Sequence, residues 1–122
     1  MYTGEWKGGF RDGLGTQVWP DGTKYIGEWK DNKAQGFGKL VHADGDLYQG
    51  QWSGNKANGF GVYMHINGSR YLGIWREDLQ HGMGRESWND GSSYEGLYEM
   101  GLKHGLGEYA WNDGSRFSGE WN

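Results

Sequence analysis

A spacing of 23 residues governs this chain. Tyr2, Tyr25, Tyr48, Tyr71, Tyr94 and Phe117 stand 23 apart, and so do Trp6, Trp29, Trp52, Trp75, Tyr98 and Trp121. Glycine keeps the same interval in four columns, which begin at Gly4, Gly13, Gly15 and Gly22. A fixed period of this length marks a supersecondary unit that buries its apolar face by stacking on its neighbours. The chain is therefore expected to be one tandem array. Its units are 2–24, 25–47, 48–70, 71–93 and 94–116, with a partial unit at 117–122.

The period also accounts for the composition. Of 25 glycines, 21 fall in the four columns, so the glycine is positional rather than low-complexity. Disordered glycine-rich chains are poor in aromatics, whereas this one carries eight Trp and eight Tyr.

Turn signals divide each unit in two. Asp21-Gly22, Asp44-Gly45, Asn67-Gly68, Asp90-Gly91 and Asp113-Gly114 lie between alternating segments. That is the strongest short-range sign of a hairpin, and it predicts two-residue type I′ loops. A second turn is expected three residues after each Trp-column position, at Gly9, Asn32, Asn55, Asp78 and Gly101, all types that tolerate positive φ. No segment has a helical period. The predicted fold is all-β: an elongated, single-layer antiparallel meander of about eleven strands.

A two-residue loop at Asp44-Gly45 sets a register in which Val41 opposes Tyr48 and Phe37 opposes Trp52. By the same count Leu14, Phe60, Met83 and Leu106 join the aromatic face. The other face then carries Gly13, Gly15, Glu5, Glu28, Gln51 and Glu120, with Trp19, His42, His65, Trp88 and Trp111 beside the turns. Trp19 facing Lys24 and Trp111 facing Arg116 would be cation–π pairs. Gly50 recurs between two rings in every unit, so rings are expected to lie over Gly50 and Gly73.

The unit Tyr-x-Gly-x-Trp-x6-Gly-x-Gly…Asp-Gly resembles the MORN (membrane occupation and recognition nexus) repeat. Quotable copies are "YIGEWKDNKAQGFGKLVHADG" and "YQGQWSGNKANGFGVYMHING". Tyr98 for Trp, Phe117 for Tyr and Asn67 for Asp are mild departures, and the family's His before the glycine pair survives only as His81 and His104. The resemblance implies stacked β-hairpins and a ciliary-axonemal or other cytoskeletal setting. Similar arrays occur in junctophilins, in phosphatidylinositol phosphate kinases and beside SET-domain methyltransferases. These leave a membrane-associating module or a regulatory segment of a larger enzyme as alternatives.

The chemistry-bearing residues point away from catalysis. The "GFG", "GLG" and "GMG" pairs do not continue into a dinucleotide or phosphate-loop motif. Columns of His42 with His65, and His81 with His104, recur about 9.6 Å apart, too far for neighbours to share a zinc ion. Without cysteine there is no thiol nucleophile or disulfide framework. Asp12, Asp31, Glu77 and Asp78 lie by turns beside Arg11, Lys30, Lys33 and Arg76, as solvated charges do. No catalytic set, metal or cofactor is expected. A net charge of −4 without a basic cluster argues against nucleic acid and against direct docking on anionic lipid. The N-terminus enters polar alternation directly, so a soluble, cytoplasmic protein is expected.

The aromatic face is the candidate site. The expectation is a non-catalytic scaffold that binds a protein segment along a groove made by Tyr25, Trp29, Phe37, Tyr48, Trp52, Phe60, Tyr71, Trp75, Met83, Tyr94 and Tyr98. Self-association through unpaired edge strands is the other partner mode considered.

Overall fold

The computed structural model describes residues 1–121. Asn122, the last residue of the partial unit, lies outside the described residues. Eleven strands follow one another: β1 (Tyr2–Lys7), β2 (Phe10–Val18), β3 (Lys24–Lys30), β4 (Lys33–Val41), β5 (Leu47–Ser53), β6 (Lys56–Met64), β7 (Arg70–Arg76), β8 (Leu79–Ser87), β9 (Ser93–Glu99), β10 (Leu102–Ala110) and β11 (Arg116–Trp121). They form one open antiparallel sheet in sequence order. At about 4.8 Å per strand the sheet is roughly 50 Å long.

Both turn columns are present, but the two-residue loops are those of the second column rather than the expected Asp-Gly turns. The tight two-residue loops with positive φ at both positions are Asp31-Asn32, Glu77-Asp78 and their equivalents. The Asp-Gly turns are longer. Around Asp44-Gly45, the Gly45 N–H donates to the His42 carbonyl and the His42 N–H donates to the Asp46 carbonyl. Of the three loop residues, only Gly45 has positive φ (102°). This is the three-residue loop, a type I turn closed by a left-handed glycine.

One extra loop residue moves the register by one and reverses the assignment of faces. Tyr48 opposes Leu40, Trp52 opposes Gly36, Gly50 opposes Gly38, and Phe37 opposes Gln51. Phe37, Phe60 and Met83, with Leu14 and Leu106, therefore stand on the face opposite the aromatic rings, a correction to the sequence expectation. Gly15 moves the other way and pairs with Gly27 on the aromatic face. Trp19 and Trp88 also belong to the aromatic side. In place of the expected Trp19–Lys24 and Trp111–Arg116 pairs, the cation–π contacts among the described residues are Arg11 over Tyr2 and Trp29 and Lys103 over Trp88 and Tyr94.

The other junction carries a bulge. Between the Trp29–Ala34 and Gly27–Gly38 pairs, the single residue Glu28 spans Gln35, Gly36 and Phe37. Gly36 takes φ 93° there, and the Glu28 carboxylate accepts the Phe37 N–H at 2.6 Å. Glu5 serves Leu14 and Gln51 serves Phe60 in the same way.

The glycines between the rings now have a reason. The Tyr48 ring lies across the Gly50–Gly61 pair, its hydroxyl donating to the Gln51 carbonyl at 2.9 Å. A Cβ on Gly50 would collide with the Gly61 Cα and the Phe60 carbonyl, and one on Gly61 with the Tyr48 ring itself. Tyr71 covers Gly73 and Gly84 likewise. Rings do lie over these glycines, and each comes from the glycine's own unit.

Candidate functional site

The aromatic face is a zipper. Tyr25 stands edge-on between Trp29 of its own unit and Trp52 of the next, at 5.0 and 5.3 Å. Tyr48 does the same between Trp52 and Trp75, at 5.1 and 5.3 Å. Such T-shaped pairs contribute about 0.5–1.5 kcal/mol each beyond their buried area. Three of the Trp side chains also donate the indole N–H to a glycine carbonyl of the preceding unit: Trp29 to Gly15, Trp52 to Gly38 and Trp75 to Gly61.

The rings consequently bury one another. Tyr25, Trp29, Tyr48, Trp52, Tyr71, Tyr94 and Tyr98 are all buried, and Trp75 is partly so. They form two clusters, Tyr25 to Ala57 and Tyr71 to Tyr98, bridged by Tyr63 and Trp75. Burial pushes the Tyr48 hydroxyl up to about 12, with the Asp78 carboxylate adding to the shift, so the ring stays neutral.

A groove of about 770 Å³ runs over the first cluster. Its floor is Tyr25, Trp29, Ala34, Leu40 and Trp52. Trp19, Pro20, Asp21 and Thr23 wall it on the side of the three-residue loops, and Arg11 and Asn55 on the side of the tight turns. Sequence reasoning missed the wall residue Trp19 and the floor residue Leu40, because the expected register sent Trp19 to the other face and left Leu40 unassigned.

The tight-turn wall is stitched along its length. The Asn32 side chain accepts the Arg11 N–H, Asn55 that of Ala34 and Asp78 that of Ala57. Each of these turn residues also donates its own N–H to the carbonyl of the same partner. In the opposite wall Asp21, Asp44, Asn67, Asp90 and Asp113 each accept the N–H two residues on. Asp46 is a further hub there, accepting from Ile66 N, the Tyr63 hydroxyl and His65 Nδ1 at 2.9–3.2 Å. The Ile66 N–H first, then Tyr63 and His65, hold its carboxyl below the usual range.

Over the second cluster the groove is only about 370 Å³. Glu86 replaces Leu40 in this groove, and Gln80 replaces Ala34. The Tyr98 hydroxyl donates to Glu86 at 2.6 Å, and Lys103 lies 3.9 Å from the same carboxylate oxygen and over Trp88 and Tyr94. Polar side chains thus occupy the space that the first cluster leaves open. Among the described residues no three His, Asp or Glu side chains gather closely enough to hold a metal ion.

An open sheet of stacked hairpins, with each unit completing the core of the next, defines a solenoid-type repeat protein. The MORN repeat model matches residues 2–24, 25–47, 48–70, 71–93 and 94–116, and the chain belongs to that family. No curated protein matches it. Among solved structures, it is similar to the wild-type TCP10 domain of Danio rerio CPAP at 18% identity and a TM-score of 0.40. The E1021V mutant of that domain aligns at 16% identity and a TM-score of 0.29. Each alignment covers 88% of this chain but 56% and 62% of the respective domain chains.

Proposed function

We propose that this array is a non-catalytic interaction module that holds a protein segment along the groove over Tyr25, Trp29 and Trp52. The observation that carries the reading is the open volume of about 770 Å³, floored by rings and walled by both rows of turns. Concave, mostly apolar sites with a few polar groups are what ligand segments use. Arg11 and Asp21 place one charge of each sign on the two walls, which orients a segment. Family membership favours an assembly role, with a ciliary or cytoskeletal setting as the proposed context.

The test uses a displayed library of random peptides selected on the wild-type chain. Selected peptides are expected to carry recurrent apolar residues and to lose at least about tenfold in affinity for Leu40→Glu, with the near-ultraviolet circular dichroism unchanged. Equal binding to Leu40→Glu would sink the groove reading. Salt-sensitive binding to phosphoinositide-containing vesicles, in place of peptide capture, would move the function to the membrane.

A further inference from the structure

The face opposite the groove carries a second feature. Phe60, Ile74, Met83, Leu97 and Leu106 come from five consecutive strands, β6 to β10, and are between 36% and 64% exposed. They form an unbroken apolar rib about 20 Å long. In the first units the same row alternates apolar and polar: Leu14, Glu28, Phe37, Gln51. There Glu28 and Gln51 accept the bulge N–H groups of Phe37 and Phe60 at 2.6 and 2.7 Å.

Ile74 and Leu97 occupy the equivalent positions beside Met83 and Leu106, and neither can accept a hydrogen bond. Each replacement forgoes a cap and places an apolar side chain in water. Both changes disfavour an isolated sheet and favour a covered one. Exposed apolar surface of this extent marks an interaction site.

We propose that this face packs on the same face of a second copy of the chain. The two-fold axis lies parallel to the strands and passes between β8 and β9. Charge complementarity identifies the occupant. Arg85 and Glu95 are directly opposed across β8 and β9 beside the rib, and both are more than half exposed. Their own separation is 4.0 Å, a loose pair. The two-fold operation exchanges β8 with β9. It sets Arg85 over the partner's Glu95, Met83 over the partner's Leu97 and Ile74 over the partner's Leu106.

A two-fold interface must be self-complementary, and over β7 to β10 this axis makes it so, with Phe60 at the rim above the partner's Glu120. Shifting the axis onto β8 would set Arg85 on the partner's Arg85. Glu108 stays tied to Arg116 at 2.7 Å on the next strands. Sheets stacked about 10 Å apart over six strands bury on the order of 700 Å² per copy, near the standard interface. A micromolar dimer is expected.

Sedimentation velocity over about a hundredfold concentration range tests this. The wild type is expected to pass from monomer to dimer. Arg85→Glu and Glu95→Arg should each weaken the dimer at least about tenfold by opposing like charges. Their equimolar mixture should restore it, since in the mixed dimer each introduced charge meets its opposite. Recovery on mixing cannot arise from the pair within one chain. Unaltered melting temperatures would show that both variants fold. A wild type that stays monomeric, or a mixture that behaves as the sum of its parts, overturns the proposal. Leu40→Glu, on the other face, should leave the dimer intact, so the groove and the dimer fail or stand separately.

Discussion

The two halves of the array share one unit and use it differently. In the first half the groove stands open over Trp29 and Trp52, while the back face is pinned by Glu5, Glu28 and Gln51 at the bulges. In the second half Gln80 and Glu86 line a narrower groove, and Ile74 and Leu97 turn the back face apolar. The frame common to both, rings over paired glycines, holds the fold. The positions between the frame residues are therefore free to differ.

The largest expected effect concerns the shared frame. Gly61→Ala and Gly84→Ala each place a methyl where a tyrosine ring lies, Tyr48 and Tyr71 respectively. Both should destabilise by about 3 kcal/mol in urea unfolding. Similar losses in the two halves would show one frame, whereas a mild loss in one half would break the comparison.

A smaller effect separates the halves. Ile74→Gln gives the Met83 bulge the side-chain acceptor that Gln51 supplies to Phe60. It should stabilise the monomer by up to about 1 kcal/mol while weakening self-association. Gln51→Ile should do the reverse and extend the rib toward Phe37. If Ile74→Gln leaves both stability and association unchanged, the bulge caps carry no weight in the contrast.

The smallest effect is acid sensitivity in the loop wall. The Ser92 hydroxyl and N–H hold the Asp90 carboxyl below its ordinary value. A depressed folded value means that its stabilisation is present above about pH 4 and is lost as pH falls below. Asn67 makes the same two bonds to Ser69 without titrating. Asp90→Asn should therefore reduce the fall in melting temperature between about pH 5 and pH 3 by a small but measurable amount. An unchanged slope would remove Asp90 from the acid response.

Much of the fold was legible in the residues. The positions of both turn columns, the eleven strands and the pairing of rings with glycines follow from the 23-residue spacing and from Asx-Gly chemistry. The faces were not, because Asp-Gly suits a two-residue loop and a three-residue loop alike. A usable signal stood one residue further on. Thr23, Ser69, Ser92 and Ser115 follow the turn glycines and donate their N–H to the Asx side chain, as that longer turn needs. The glycine column from Gly13 to Gly105 was a second signal, since its positive φ builds the bulges.

The groove residues divide in the same way. Tyr25, Trp29, Tyr48 and Trp52 were evident as a stripe, and they do form the floor or the core beneath it. Trp19 and Arg11 carry no mark in the sequence that distinguishes a wall from a solvated loop, and Leu40 none that assigns it to the floor. Their role depends on which way each strand faces.

The sequence by itself determined a repeat: its length, its two turns and the rings and glycines that must stack from unit to unit. These are local requirements that recur, so spacing alone reveals them. Only the tertiary structure decided which side chains share a face, where the groove stays open, and that Phe60, Met83 and Leu106 look away from it. In a strand the side-chain period is two, so a single residue in a loop exchanges inside for outside. That choice is made by hydrogen bonds at the turn and the bulge rather than by the hydrophobic pattern.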